Sequence, residues 1–389
     1  MPIRNRLAEL APEITGWRHA LHQIPELLYD LHKTSAYVAS RLHEIGVDEV
    51  TTGIGKTGIV AVIRGRTDTK GRVIGLRADM DALPINEVSD LEYASAHPGV
   101  MHACGHDGHT AILLGVAKYL TETRNFDGTV VLVFQPAEEG GAGAKAMIDD
   151  GLMDRWGIQE VYGLHNMPGI PVGTIAARPG PLMASSDEFE IHVTGKGGHA
   201  AAPHEAVDTT LVAAHILIAL QSVVSRTINP LRRVVLTVGT FNTDSVASNV
   251  IPHTARMQGT VRTLDDECRN QSRDRIRALV TATAEAFGAT AEVLWDPGYP
   301  VTINSEAATA HALDAARAVA AEVIEDVDPI MPSEDFSYML QERPGCYVFL
   351  GNGDTAMCHH PAYRFDDETI PLGTSWFAEL VERRMPVHN

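Results

Sequence analysis

Long apolar runs are missing from this sequence. No stretch of about 18 consecutive apolar residues occurs, so we expect no membrane-spanning segment. The first residues, MPIRNRLAELAPEITGW, lack the apolar core and the small-residue site of a secretory signal. Cysteine is scarce as well, and the thiols show no disulfide spacing: Cys104, Cys268, Cys346 and Cys358. We therefore expect a reducing, cytoplasmic location.

Positive charge is also in short supply. The chain has 31 Lys and Arg residues against 50 Asp and Glu residues, which gives a net charge of -19. Nucleic acids and anionic membranes attract basic surfaces, so this balance argues against both as partners. A small anionic substrate would need local cationic side chains or a metal ion to bind to this chain.

The chain alternates apolar strand patterns with helical patterns. Its 389 residues exceed the usual size of one hydrophobic core, which predicts two domains. The strands are predicted at residues 58–63, 73–76, 129–134 and 160–164, and the helices at 5–22, 33–46, 109–121 and 143–150. This order predicts an α/β fold, with a mostly parallel mixed sheet and helices on both faces.

The pattern changes near Ser185. Strand alternation, a long apolar helix, two strands, a second helix and a last strand follow in the order β-α-β-β-α-β. This order is typical of a ferredoxin-like α+β domain, so residues 185–295 are predicted to be an insertion. Residues 1–184 and 296–389 are then the two parts of the main, metal-binding domain. Within the second part, Glu334 and Asp335 are expected to cap a short helix after Ser333.

Metal-capable side chains concentrate in residues 101–110, MHACGHDGHT. Cys104 and His106 carry a thiol and an imidazole, which bind zinc and its neighbours, and the surrounding glycines allow a close approach of the backbone. A Cys-x-His pair alone is a weak signal, because a packed cysteine and a hydrogen-bonded core histidine give the same pattern. The rest of the chain must supply further ligands.

Polar side chains also follow the predicted strands directly. Asp79 and Asp81 follow one strand, Glu138 and Glu139 follow another, and His165 follows a third. Ligands of open α/β sheets bind at the carboxyl ends of the strands, so these side chains are expected to share one cleft.

The candidate donors outnumber the ligands of one catalytic zinc, which normally has three plus water. Two ions that share a bridging ligand would use all five, and one of the adjacent glutamates would remain as a general base. The candidates are Cys104, His106, Glu138 or Glu139, His165, and His359 or His360.

As a set, the motifs resemble the hippurate hydrolase and indole-acetyl-amino-acid hydrolase branch of the aminoacylase and carboxypeptidase metallohydrolases. The resemblance extends from about Trp17 to Phe377. The motifs that carry it are RADMDALP, MHACGHDGHTA, PAEEGGAGA, GLHNMPG, GKGGHAAAPH, SNVIP, SEDF and CHHPAYRFDD.

This resemblance implies a dinuclear site and assigns its residues. Glu138 would be the general base, and the ions would be Zn²⁺, Mn²⁺, Co²⁺ or Ni²⁺. The closing ligand of the family is the first residue of a His-x-Pro group, which favours His359 over His360, and Cys358 is expected to lie outside the ligand set. The implied ligands are Cys104, His106, Glu139, His165 and His359.

The resemblance also implies supporting roles. Asp81 would orient the site from behind the ligands. His199 of the inserted domain would reach the partner subunit's active site and stabilise the oxyanion, and Asn249 would contact substrate across the same interface. Arg262 is a candidate for binding the amino-acid carboxylate, since its planar fork suits that group. The inserted domain would thus serve as lid and dimerisation domain of a homodimer or a dimer-based tetramer.

The implied activity is that of a metal-dependent amidohydrolase, which cleaves N-acetyl or hippurate-like N-acyl-L-amino acids to a carboxylic acid and a free amino acid. A dipeptidase or aminopeptidase with the same dinuclear site is the main alternative. A thiol hydrolase with Cys104 as nucleophile and His106 as base is disfavoured by their short spacing. A binding protein that keeps the fold without catalysis is the third alternative.

Overall fold

The computed structural model describes residues 5–387. Within that range the chain forms ten α-helices. They are α1 (Asn5–His22), α2 (His32–Ile45), α3 (His106–Thr123), α4 (Gly143–Asp149), α5 (Leu152–Arg155), α6 (Thr209–Ser222), α7 (Asp266–Ala286), α8 (Glu306–Val319), α9 (Phe336–Glu342) and α10 (Ile370–Arg384). A π-helical turn, Val223–Thr227, continues α6. Two short 3-10 helices span Pro203–Glu205 and Asp367–Thr369.

The same range contains sixteen strands. They are β1 (Glu49–Ile54), β2 (Gly58–Arg64), β3 (Val73–Asp79), β4 (Thr129–Gln135), β5 (Glu160–Met167), β6 (Thr174–Ala176), β7 (Gly180–Met183), β8 (Ser185–Thr194), β9 (Gly198–His199), β10 (Val234–Thr243), β11 (Val250–Ile251), β12 (Thr254–Thr263), β13 (Thr290–Pro297), β14 (Thr302–Asn304), β15 (Glu322–Ile324) and β16 (Gly345–Gly351).

The chain folds into two compact units. The first contains the residues up to Gly180, the segment Ile303–Asp328 and the residues from Asp335 onward. The second contains Pro181–Thr302 and Pro329–Glu334. The sequence predicted the insertion at 185–295 and assigned residues 329–334 to the main domain.

The return of residues 329–334 to the second unit has a clear cause. The backbone N–H of Ala184 donates to the carbonyl oxygens of Ile330 and Pro332, at 3.1 and 3.0 Å. Met183 also pairs with Ile330 in a parallel bridge. Such pairing between distant segments leaves no trace in local sequence patterns.

An eight-stranded sheet forms the first unit, in the order β1-β2-β4-β3-β5-β16-β6-β15. Strands β4, β3, β5 and β16 run parallel to one another, as do β6 and β15, and the other pairs are antiparallel. The predicted mostly parallel α/β sheet is therefore confirmed. The sequence predicted neither β1 nor the short strands β6 and β15, which are partly exposed or only three residues long.

The central strands of this sheet are largely apolar along their length because helices cover both of their faces. All of β16 and nearly all of β4 is buried, as expected of strands covered by helices on either side. Helices α1, α2, α3, α8 and α10 share one core with alternate strand residues such as Ile59, Ala61 and Ile63. Helices α4 and α9 pack against each other and cover the opposite face beside β4 and β5.

A four-stranded antiparallel sheet, in the order β10-β12-β8-β13, forms the second unit. Phe189, Ile191 and Val193 alternate with exposed residues along β8 and pack with α6 and α7 in one core. The chain order of these elements is β8, α6, β10, β12, α7, β13, which is the β-α-β-β-α-β pattern.

One helical segment, Thr209–Thr227, is long and apolar enough to cross a membrane by length and composition alone. No such segment was predicted from the sequence, because polar residues interrupt the apolar run. Its Val212 and Ile216 lie in the core of the second unit, whereas Leu211 and Ile218 are exposed. Core packing therefore accounts for the apolar residues on one side of this helix.

Candidate metal centre

Three parallel strands bring polar residues to one edge of the first unit's sheet. Strand β3 ends at Asp79, β4 leads into the turn that carries Glu138 and Glu139, and β5 carries His165. The sequence predicted His165 just beyond its strand, but pairing with β16 continues to Met167, so His165 lies within β5. The expected cleft at the carboxyl ends of these strands is present.

Glycine allows the segment before α3 to approach this edge closely. Gly105 has a φ of 87°, and a Cβ there would lie 2.3 Å from Asn166 Nδ2 and 2.4 Å from the Tyr363 hydroxyl. No larger side chain fits this position. The close packing places Cys104 and His106, on either side of the glycine, beside β5.

The five predicted ligands come together. Cys104 Sγ lies 3.3 Å from His165 Nε2, and His359 Nε2 lies 3.2 Å from Glu139 Oε1. His106 Nε2 is 4.0 Å from the same glutamate oxygen. Two groups of three donor atoms, each within 4.8 Å of one another, share the thiol of Cys104. One group adds His106 and His165, and the other adds Glu139 and His359.

Unsatisfied buried atoms show that these donors fit metal ions. Among the described residues, neither ring nitrogen of His106 nor Oε1 of Glu139 has a hydrogen-bond partner. Buried polar atoms are nearly always paired in folded proteins, so a cation is the partner that this chemistry calls for. A mixed set of thiol, imidazole and carboxylate suits a divalent transition metal.

Asp81 anchors the backbone of the turn that carries Glu138 and Glu139. Its two carboxylate oxygens accept the backbone N–H groups of Glu138 and Glu139, both at 3.0 Å. His106 Nδ1 lies 3.5 Å from Asp81 Oδ1, without hydrogen-bonding geometry. Burial lowers the pKa of His106, but the charges of Asp79 and Asp81 outweigh it and raise that pKa to about 10.

His109 is held by hydrogen bonds at both ring nitrogens. Its Nδ1 donates to Asp79 at 2.7 Å, and its Nε2 accepts the backbone N–H of Asn166 at 2.9 Å. These contacts orient the ring and make His109 a link between β3 and β5.

Arg77, which the sequence did not mark as a site residue, lies in a buried network next to the site. This buried guanidinium donates to Asp79 at 2.7 Å, Gln135 at 2.8 Å, Asp335 at 3.1 Å and the Tyr347 hydroxyl at 3.2 Å. Asp335 precedes α9 but makes no capping hydrogen bond with its side chain, so the predicted cap is wrong for this residue. Its carboxylate joins the buried network because Arg77 supplies the charge that balances it.

The second unit contains the three remaining predicted residues. His199 on β9 pairs with Val250 on β11, and the backbone carbonyl of Asn249 accepts the N–H of Ala200. His199 and Asn249 line a cavity of about 570 Å³. Arg262 lies on β12, where it donates to the Ser333 hydroxyl at 3.0 Å, and it does not line that cavity.

Comparison with known families identifies the chain. Residues 75–383 match the family described as Peptidase family M20/M25/M40. This chain belongs to peptidase family M20/M25/M40. This M20 chain matches curated relatives over nearly its whole length.

Two curated relatives and one solved structure illustrate the match. N-acetyl-L-cysteine deacetylase of Bacillus subtilis (strain 168) is 44% identical over 97% of this chain and 89% of its own length. Hippurate hydrolase of Campylobacter jejuni subsp. jejuni is 41% identical over 96% of this chain and 97% of its own. The Bacillus subtilis YXEP protein, described as a dinuclear metal binding peptidase from the M20 family, is 36% identical, with a TM-score of 0.85 over 97% of this chain and 99% of its own.

The C-terminal segment of this M20 chain separates two adjacent histidines. His359, with a φ of 69°, turns its ring toward Glu139, whereas Nδ1 of His360 accepts the backbone N–H of Ala362 at 3.1 Å. Cys358, the neighbour of His359, is partly buried, and the interaction of its thiol with Cys104 lowers the pKa of Cys358, against the opposing effect of burial.

Proposed function

We propose that this protein is a metal-dependent amidohydrolase that cleaves N-acyl-L-amino acids to a carboxylic acid and a free amino acid. The observation that carries the proposal is the turn Glu138–Glu139. Glu139 belongs to one of the overlapping donor groups, and the Glu138 carboxylate lies within 4.8 Å of the His106 and Glu139 donor atoms. Relatives named N-acetyl-L-cysteine deacetylase and hippurate hydrolase, both above 40% identity, support this substrate class.

Five residues would hold two divalent ions. When bound, such ions polarise an acyl carbonyl and make water more acidic. The donor set suits Zn²⁺, Mn²⁺, Co²⁺ and Ni²⁺ alike. The proposed ligands are Cys104, His106, Glu139, His165 and His359. The name of the YXEP protein, which calls it a dinuclear metal binding peptidase, supports two ions per chain.

Glu138 is proposed as the proton carrier. It takes a proton from the attacking water, whose oxygen bonds to the acyl carbon, and delivers that proton to the leaving nitrogen as the C–N bond breaks. The products are a carboxylic acid and an amine, with no further reactant. Asp81 is the proposed positioning residue, because it anchors the backbone of both glutamates.

Substrate contacts are proposed for the second unit. His199 would stabilise the oxyanion in the site of a neighbouring subunit, and Asn249 would contact the same substrate. Arg262 would bind the substrate carboxylate. The shared cavity of His199 and Asn249 supports their common role. This proposal includes a homodimer or dimer-based tetramer, with the second unit as lid and dimerisation domain.

The location of the protein is proposed to be the cytoplasm. All four thiols are free of disulfides: Cys104, Cys268, Cys346 and Cys358. Unpaired cysteines are typical of reducing compartments, which supports this location.

A substrate panel with metal analysis tests the function. Purified protein should release the amino acid from benzoyl-glycine and N-acetyl amino acids. It should not cleave glycyl-glycine, because a dipeptidase needs an acidic group positioned for the free ammonium of its substrate. Preference for glycyl-glycine would replace the proposal by a dipeptidase or aminopeptidase. Full activity after exhaustive chelation would favour Cys104 as a nucleophile, and no activity on any substrate would favour a binding protein.

A further inference from the structure

A second cavity, separate from the one lined by His199, lies in the second unit. It has a volume of about 430 Å³ and is lined by α7 and by the end of β13. Arg269, Arg273, Arg277 and Trp295 are among its lining residues. The three arginines contrast with the net charge of -19 of the whole chain. Cavities that bind small molecules have volumes of about 300–1,000 Å³, so the space is sufficient for such a ligand.

The spacing of α7 builds one wall of this cavity. Arg269, Arg273 and Arg277 recur every fourth residue, which places them on one side of the helix with about 6 Å of rise between successive residues. Each arginine follows a buried residue of the helix, and these buried residues are Cys268, Ser272 and Ile276. The arginines therefore flank the stripe that packs on the sheet.

The three guanidinium groups differ in their contacts. Arg269 donates to both carboxylate oxygens of the fully buried Asp187, at 2.6 and 2.7 Å, so its charge is balanced. Arg273 forms a partly exposed ion pair with its neighbour Asp274 through Nε, at 3.0 Å, and within residues 5–387 its two terminal nitrogens make no hydrogen bond. Within residues 5–387, Arg277 has neither a hydrogen bond nor an ion pair. Two guanidinium groups are thus available to an incoming anion.

Two acidic residues line the cavity without cancelling this charge. Asp187 is paired with Arg269. Asp266 also lines the space, but it lies at the start of α7, eleven residues before Arg277. That separation corresponds to about 16 Å along the helix axis. The positive end of the cavity is therefore the part beside Arg273 and Arg277.

Trp295 supplies a flat apolar surface beside these arginines. Its ring stacks on Phe189 with the centroids 6.2 Å apart and the planes 12° from parallel. Strand β13 forms an edge of its sheet, and Trp295 is only partly buried there. A tryptophan held in this way offers a rigid face on which a planar ring can lie.

We propose that this cavity binds a small organic anion, with its carboxylate or phosphate group on Arg273 and Arg277 and its planar ring on Trp295. Guanidinium groups bind both oxyanions through two parallel hydrogen bonds, which an acidic surface elsewhere on the chain does not offer. The site uses none of the proposed metal ligands or substrate-binding residues. It is therefore a ligand site in addition to the amidohydrolase site.

Calorimetric titration of the metal-loaded protein tests the proposal. Benzoate and phenyl phosphate carry the two anionic groups on the same ring, so their relative affinities identify the preferred group, and inorganic phosphate reports the contribution of the ring. R273Q and R277Q should each weaken binding of the preferred anion by about tenfold or more, because glutamine lacks the charged fork.

Arg275 provides the matched control. It is exposed on the same helix but does not line the cavity, and R275Q makes the same change in charge. R275Q should bind as the wild type does, and W295F should reduce the advantage of phenyl phosphate over inorganic phosphate. Equal losses in R275Q and R277Q would overturn the proposal by indicating long-range charge alone. So would unchanged binding in R277Q, or no binding of either ring anion to the wild type.

Discussion

The adjacent glutamates have different surroundings, and this difference allows different roles. Asp81 holds the backbone of both, but Glu139 Oε1 faces His359 and His106, whereas the Glu138 carboxylate is buried beside these groups. Residue types and strand ends were enough to predict candidate donors that the fold brings together, but they did not choose between Glu138 and Glu139. They left His359 and His360 open, because two neighbouring imidazoles differ only in backbone conformation and in the partners that the fold brings to them.

The variant E138Q separates proton transfer from metal binding. Glutamine has nearly the shape of glutamate but cannot accept a proton, so turnover should fall by about 10²- to 10⁴-fold. Metal content should stay at the wild-type level, because Glu138 is not among the proposed ligands. The measurement is kcat on benzoyl-glycine together with metal analysis of the same sample. Activity close to the wild type would remove Glu138 from the mechanism.

Between elements, the buried network of Arg77 joins β3, β4 and α9. Arg77 and Asp335 are 258 positions apart in the chain, and no local pattern connects them. The alternation of strands and helices was sufficient to predict the sheet, since apolar runs and strand ends are local features. The network below the site was unpredictable because its partners meet only after the sheet has formed.

Replacing Arg77 should destabilise the first unit strongly. R77M leaves the carboxylates of Asp79 and Asp335 buried without their cation, which typically costs about 3–5 kcal/mol. Urea denaturation of the wild type and the variant measures the difference. Arg64, exposed at the end of β2, provides a control, and R64M should change stability by less than about 0.5 kcal/mol. Equal stability of R77M and R64M would contradict a structural role for the network.

The contact between α1 and α3 should make stability depend on pH. His22 Nδ1 lies 2.8 Å from the Asp107 carboxylate. Burial lowers the pKa of His22, but Asp107 and Glu87 outweigh it and raise that pKa to about 9. Since the folded-state pKa exceeds the unfolded value, the stabilisation is complete below about pH 6.5 and is lost as pH rises through about 9.

The variant H22Q measures this contribution. The stability difference between wild type and H22Q should be constant below about pH 6.5 and then shrink by up to about 1.4 kcal/mol per pH unit toward pH 9. Urea denaturation at several pH values provides the measurement. H43Q, at an exposed histidine on α2 that has no carboxylate partner within residues 5–387, provides the control for this trend. A difference for H22Q that does not vary with pH would show that Asp107 does not hold a charged imidazole.

For the whole molecule, the sequence predicted two bodies and the order of elements in each. It placed the boundaries at 185 and 295, whereas the second unit extends from Pro181 to Thr302 and regains Pro329–Glu334. The added segments join through pairing of Ile330 with residues 183 and 184. Domain boundaries that depend on contacts between distant segments are visible only in the folded chain.

Mixing two inactive variants tests the proposed exchange of residues between subunits. A mixed dimer of H199A and E138Q contains one site with an intact Glu138 and an intact His199 from its neighbour. Refolding or co-expressing both variants should restore about a quarter of the wild-type activity, because half of randomly assorted dimers are mixed and each has one complete site. If the mixture is no more active than its components, His199 acts within its own chain or not at all.

The central claim is that five donors hold two metal ions with the Cys104 thiol common to both donor groups. Metal analysis of the purified wild type and C104S, paired with kcat, tests it most directly. The account predicts about two divalent ions per active wild-type chain and loss of both ions with activity in C104S, because serine is a far weaker ligand than thiolate. A C104S protein that retains two ions and wild-type turnover would contradict the account.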